Sequence, residues 1–239
     1  MPGFHSGAWE PGKNPAFKKC KLNLKDARSL LKKMAVQDKN NRTKIYTGDI
    51  VAGSLLITES RKIAQLLLNK VNEDQWHQAI ILDNILQKRS PVAAKRQALL
   101  IRNRLTLMEP DLWELICKGN NDISVQALLS AAIKYSRLVG DFLDQVVRKH
   151  WRTFKPVISV KDWKYFIEIC AQADPHVLEW TESTRAKLKQ VVFRILAESN
   201  YIDSTRSGKI KPVIVLPEIR KYLTRHSEEY VLRCMLATQ

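Results

Sequence analysis

The residues best suited to chemistry lie between Ile85 and Leu105, where Lys88, Arg89, Lys95, Arg96, Arg102 and Arg104 occur with no acidic residue among them. Long cationic side chains reach phosphate oxygens, and arginine can pair both acceptors on a guanine edge. The segment reads as a turn feeding a helix. Ser90 is a good N-cap, and Pro91 suits the first helical position, where no intrahelical N–H partner is needed. A turn at Gln87–Ser90 between a helix over Glu73–Leu86 and one over Pro91–Leu107 fits a helix-turn-helix, whose second helix lies against DNA. Lys88, Arg89, Lys95, Arg96 and Arg102 are the expected contacts. The alternative for these residues is a helical hairpin with a solvated charged face.

A second candidate spans Thr181–Leu216. A helix capped by Thr181 or Ser183 and reaching Ser199 turns Leu188, Val191, Val192 and Ile195 inward. Lys187, Gln190 and Arg194 form a polar row on another side. Tyr201-Ile202 and Val213-Ile214-Val215 then read as a β-hairpin whose tip carries Arg206, Lys209 and Lys211. Helix plus hairpin matches a winged helix, in which the helix enters the major groove and the tip touches backbone or minor groove. Lys187, Lys189, Gln190 and Arg194 are the expected helix contacts; Arg206, Lys209 and Lys211 are the wing contacts. A small α/β cap with exposed lysines is the alternative.

The elements that must position these residues are mostly helices. Thr58 can cap a helix over Glu59–Lys70. Pro110 opens a helix that Gly119 ends. Asp122 caps a long helical stretch over Ile123–His150, with a bend near Ser136 or Gly140. Another helix covers Asp162–Ala173, and Pro217 starts the last ones. Prolines and glycines crowd residues 1–16, which suggests a loose tail, and a short basic helix fits Asn23–Val36. The expected fold is mainly α: two helix-turn-helix-like units, the C-terminal one winged by a short β-hairpin. Its parts are residues 1–44 (basic tail and short helix), 45–110 (N-terminal helix-turn-helix-like domain), 111–173 (helical connector) and 174–239 (C-terminal winged-helix-like domain).

Charge supports a polyanionic partner. The 239 residues carry a formal net charge of +16, with 45% hydrophobic residues, ordinary for a chain that buries a core. The surplus is +7 over residues 1–58, +4 over 59–110, +1 over 111–176 and +4 over 177–239. A balanced middle between basic flanks suggests a connector joining two charged surfaces.

Other classes find little support. Cys20, Cys117, Cys170 and Cys234 are far apart with no C-x-x-C, which favours reduced thiols over disulfides or zinc. There is no G-x-S-x-G, H-E-x-x-H or G-x-G-x-x-G. The stretch Gly48–Ser54 has the glycine spacing of a phosphate loop without its lysine. Asp141 with Asp144, and Glu179 with Glu182, read as solvated carboxylates. His77, His150, His176 and His226 have no evident partners. Trp76, Trp113, Trp163 and Trp180 sit at apolar helix positions and are expected in the core. No apolar run approaches the ~20 residues that span a bilayer. The expectations are no catalytic residue, no metal, no cofactor, no membrane and a cytoplasmic location. The oligomeric state is open.

Four blocks carry a resemblance: G-S-L-L-I-T-E-S-R-K-I-A (53–64), N-I-L-Q-K-R-S-P-V-A-A-K-R-Q-A (84–98), A-A-I-K-Y-S-R-L-V-G-D-F-L (131–143) and W-T-E-S-T-R-A-K-L-K-Q-V-V-F-R-I-L-A-E (180–198). In order and content they resemble the BrxA family of bacteriophage-exclusion (BREX) systems, over roughly residues 45–235. That family has been described as similar to NusB, an all-helical RNA binder. It has also been labelled an inner-membrane protein, with which this sequence disagrees. The resemblance implies a small non-enzymatic defence component that binds double-stranded DNA beside other BREX subunits such as a methyltransferase and an ATPase. It supplies no catalytic residues. An RNA binder, and a scaffold docking acidic partners, are the alternatives.

Overall fold

Apolar side chains recurring every three or four residues drive this chain into helices, each burying one stripe against its neighbours. A computed structural model describes residues 44–239, which form one unit with a continuous hydrophobic core. The expected tail and the helix over Asn23–Val36 lie outside the described residues.

Helix α1 (Ile57–Leu68) packs on α4 (Pro110–Lys118) and α3 (Pro91–Leu105). Between α1 and α3 runs the short α2 (Glu73–His77), which passes into a π-helical turn over Gln78–Leu82. The central element is α5 (Asn121–Tyr135), buried without interruption from Ser124 to Ile133 and in contact with α1, α3 and α4. Its lack of a polar face is what a helix enclosed on all sides requires. Next come α6 (Arg137–Asp141), a π-helical stretch Phe142–Val147 and α7 (Arg148–Arg152). Helices α8 (Val160–Ala173) and α9 (Glu182–Glu198) follow, then α10 (Pro217–Arg225) and α11 (Glu229–Met235), which cover α5. Phe142 meets Phe166 edge-on at 5.1 Å and lies 5.9 Å from Phe193, joining the π stretch to α8 and α9. Trp163 is buried; Trp76, Trp113 and Trp180 pack half-buried against the core.

Several expectations are corrected. Helix α1 begins at Ile57, before Thr58, after Leu56 takes a left-handed conformation. The helix expected to reach Leu86 stops at Leu82, because the Asn84 side chain both donates to the Lys88 carbonyl and accepts from its N–H, closing a local loop. Asn120, not Asp122, caps α5, accepting from Ile123 N–H at 2.9 Å. The long helix breaks at Ser136, while Gly140 continues it and lets the Tyr230 hydroxyl approach to where a Cβ would stand only 2.3 Å away. A box between Ser159 and Asp162 starts α8 at Val160.

The wing is the main correction. Among the described residues there is no extended strand, only isolated antiparallel bridges pairing Ile202 with Ile210 and Val157 with Lys209. Val213 and Val215 alternate inward as a strand would, but their segment never pairs with Tyr201-Ile202. Gln126 of α5 takes the place of a partner strand: its amide donates to Ile214 C=O (2.8 Å) and accepts from Leu216 N–H (2.9 Å). Val213 N–H bonds to Thr238 Oγ1, and Pro212 has no N–H to offer a ladder.

Two carboxylates tie distant segments together. Asp141, expected on a solvated face, is buried and accepts from the hydroxyls of Tyr46 (2.8 Å) and Tyr230 (2.7 Å) and from Arg137. Asp174 accepts from the N–H groups of Ile45, Tyr46 and His176. Burial pushes the Asp174 carboxyl upward, but these bonds and the His176 ring overcome it and hold the carboxyl below its usual 3.8. A depressed folded value gives stability that is complete above the unfolded value and is lost as pH falls through the folded one. Melting temperature should therefore fall as pH drops below about 4. In Asp174→Asn it should be lower at neutral pH and fall less steeply in acid, as thermal denaturation across pH will read.

Candidate nucleic-acid interface

Helix α3 starts as its sequence implies. Ser90 accepts from Ala93 N–H at 3.2 Å, and Pro91 takes the first position. Ala94, Ala98, Ile101 and Leu105 are buried, and Met108 continues the stripe. Lys95 and Arg96 stand on the exposed side, with Arg89 exposed in the preceding turn. None of these three has a carboxylate partner among the described residues.

The remaining cations of the segment are engaged. Lys88 pairs with Glu59, both side chains 20% exposed. Burial works to raise the Glu59 carboxyl, yet the hydrogen bond from Lys88, a backbone hydrogen bond and the charges of Lys88 and Lys62 together lower it. Arg102 meets Glu73 at 2.7 Å and stacks 4.7 Å over the Trp76 ring. That pair is exposed to water and salt, so it is weak and can yield to a phosphate. Arg104 lies 4% exposed, donating to the Ser54 carbonyl and to the Gly53 carbonyl at 3.0 Å. Burial lowers its pKa to about 10, so the guanidinium stays charged at neutral pH.

Helix α9 presents a comparable exposed row. Thr181 is the cap, accepting from Thr184 N–H at 3.2 Å. Lys187 is exposed and donates to Gln190 Oε1 at 3.1 Å, while Arg194 pairs with Glu198 at 3.0 Å. Lys189 faces elsewhere, into a groove of about 330 Å³ between α8 and α9 beside Trp163 and Glu168.

The two basic helices meet at one segment. Glu198, in the last turn of α9, accepts from Ser54 Oγ (2.7 Å) and Leu55 N–H (2.9 Å). Ser54 and Gly53 also receive Arg104 from the last turn of α3. The 3-10 turn over Asp49–Ala52 just before them packs against both helices. The G-D-I-V-A-G-S stretch is thus a clamp holding the C-terminal ends of α3 and α9, and the fold calls on its backbone carbonyls and its serine.

Arg206, Lys209 and Lys211 are all exposed on the loop that replaces the hairpin. Asp203 organises the tip by accepting from Ser204 N–H (2.7 Å), Lys209 N–H (3.0 Å) and the Ser207 hydroxyl. The bond from Ser207 leads in holding the Asp203 carboxyl below its usual range. Hydrogen bonds from Ile158 N–H to Gly208 C=O and from Ile210 N–H to Pro156 C=O dock the tip on the segment preceding α8. Of eleven expected basic contacts, Lys88, Arg102 and Arg194 have ionic partners and the other eight have none among the described residues.

The BrxA family profile matches residues 44–227. The chain belongs to the BrxA family. The match begins where the described unit begins. A BREX protein BrxA from Paramagnetospirillum magneticum (strain AMB-1) is 46% identical over 190 residues, covering 80% of this chain and 96% of that protein. Another, from Escherichia coli O9:H4 (strain HS), is 35% identical over 78% of this chain and 87% of its own length. The crystal structure of an uncharacterized protein from Magnetospirillum magneticum superposes with a TM-score of 0.74 at 44% identity, covering 80% of this chain and 98% of that one. For the BrxA family member described here, the helical fold is thus shared with a solved structure. No helix among the described residues is long and apolar enough to cross a membrane.

Sequence reasoning missed Glu198, Ser54 and the inward turn of Arg104. The i, i+4 spacing of Arg194 and Glu198 was the visible signal for the first. The His residues were misread too: His150, His176 and His226 contact Asp162, Asp174 and Asp111 at 2.9–3.1 Å. Arg104→Met should orphan the Gly53 and Ser54 carbonyls and cost about 2–3 kcal/mol in chemical denaturation. It should also speed amide exchange over residues 53–56.

Proposed function

We propose that this BrxA family member is a non-enzymatic DNA-binding component of a bacteriophage-exclusion defence system. It engages duplex DNA chiefly through phosphate contacts, with α3 acting as the contact helix of a helix-turn-helix-like unit. The relatives named BREX protein BrxA support the defence context. One structural observation carries the chemistry: exposed rows with Lys95 and Arg96 on α3 and Lys187 and Gln190 on α9 belong to helices anchored to the same residues, Gly53–Leu55. Cations fixed on helices tied together in this way form a surface for a polyanion, and they have little else to do. A lysine without a carboxylate partner adds self-repulsion to the folded state, which bound phosphates would relieve. Arg89 extends the set, and Arg206, Lys209 and Lys211 on the docked tip are further candidate phosphate contacts.

If about six phosphates are neutralised, log affinity should fall against log salt with a slope near −5. A gel-shift series on a short duplex tests this, and no binding at low salt would refute it. Lys95→Ala combined with Arg96→Ala and Lys187→Ala should reduce the slope by about 2–3 without moving the melting temperature. Lys88→Ala should do the reverse, lowering the melting temperature while leaving affinity nearly unchanged, because Lys88 is committed to Glu59. Equal-length RNA competing more strongly than duplex DNA would favour an RNA-binding role instead.

A further inference from the structure

Helix α7 ends on a left-handed residue, as α1, α9 and α10 do at Lys70, Asn200 and Ser227, but here the residue is aromatic. Lys155 N–H bonds back to His150 C=O (2.9 Å) and Phe154 N–H to Trp151 C=O (3.2 Å), which puts Phe154 at φ 55°. Glycine normally fills that left-handed position, because a side chain there crowds the backbone. Phe154 is also 93% exposed, so its ring gains nothing from the core. Both its backbone and its side chain burden the isolated fold.

Its surroundings are cationic. Lys149, Arg152 and Lys155 are exposed on the same helix end, spaced three residues apart. The connection carrying Phe154 then runs into Pro156–Ile158, where the Arg206–Lys211 tip is docked. Gly208 makes that docking close, since a Cβ on it would stand 2.3 Å from the Ile158 carbonyl oxygen. Lys149, Arg152 and Lys155 around Phe154 in the chain, and Arg206, Lys209 and Lys211 on the docked tip, have no carboxylate partner among the described residues. The carboxylates nearest in the chain are occupied: Asp144 by Arg148 and Arg233, Asp203 within the tip, Asp162 by Ser159 and His150.

We propose that this surface is a second duplex contact, in which Phe154 wedges at a base step in the minor groove while the two cationic rows take the phosphates of the flanking backbones. The inference rests on the duplex-binding reading above and adds a site to it. Two rows joined by a projecting ring suit two backbones with a groove between them, as apolar wedges in other proteins exploit to kink DNA. A single strand has one backbone to offer, and an anionic membrane surface offers no groove.

Phe154→Gly is the telling variant, because it separates stability from binding. Placing glycine at the left-handed position should raise the melting temperature by about 2–4 °C. The same change should weaken binding to a 20–30 base-pair duplex by about tenfold, leave the salt slope unchanged and abolish bending read by end-to-end energy transfer. Lys149→Ala with Arg152→Ala and Lys155→Ala should instead lower the salt slope by about 2–3. If the wild-type protein binds duplex but both variants keep its affinity, slope and bend, this site is refuted and the DNA-binding reading stands. If the wild-type protein binds no duplex, both fail. Salt-sensitive binding to phosphatidylserine-containing vesicles that the triple variant loses would then assign the surface to membranes and overturn the inference.

Discussion

The geometry of this protein depends on a buried guanidinium. Arg104 carries its charge into the core and has no carboxylate partner there; two backbone carbonyls of Gly53 and Ser54 receive it. Carbonyl dipoles compensate a buried cation only when they are held in place, and Glu198 holds them by gripping Ser54 and Leu55 from the other side. Each half of the clamp gives the other its purpose. Without Glu198 the carbonyls are free to turn away, and without Arg104 they are buried with no donor. The consequence reaches the surface, because α3 and α9 carry their exposed cations on helices whose ends cannot drift apart.

The same economy recurs through the fold. Asp141 gathers Tyr46, Tyr230 and Arg137, and Asp174 gathers the backbone of Ile45 and Tyr46. Gln126 supplies from one side chain the hydrogen bonds that a neighbouring strand would otherwise give. Asp174 and Gln126 satisfy the backbone of irregular segments, while Asp141 satisfies buried hydroxyls. Buried irregular chain demands such partners, and here they come from far along the sequence.

That long reach explains what could and could not be read beforehand. The start of α3 was legible because Ser90, Pro91 and the Ala94–Ala98–Ile101–Leu105 stripe act within one or two turns. The wing was misread because Val213–Val215 alternate as in a strand, while the decisive partner, Gln126, lies 88 positions away from Ile214. Net charge misled in a different manner. Residues 111–176 sum to +1, yet Asp141 and Asp174 are buried while Lys149, Arg152, Lys155, Lys161 and Lys164 are exposed. Folding buries these two acids while Glu114, Asp122 and Glu168 stay exposed, so the segment shows more positive charge outside than its sum of +1 implies. Lys88, Arg102 and Arg194 show the opposite error, since carboxylates from other helices or the next turn claim them.

Surface lysines that serve a polyanion must become shielded when it binds. Amine acetylation mapped by mass spectrometry, with and without a short duplex at low salt, reads this residue by residue. Lys95, Lys187, Lys209 and Lys211 should be protected together, while Lys118, paired with Glu114 on α4, should be modified equally in both samples. Identical modification of all five lysines with duplex in excess would contradict the account.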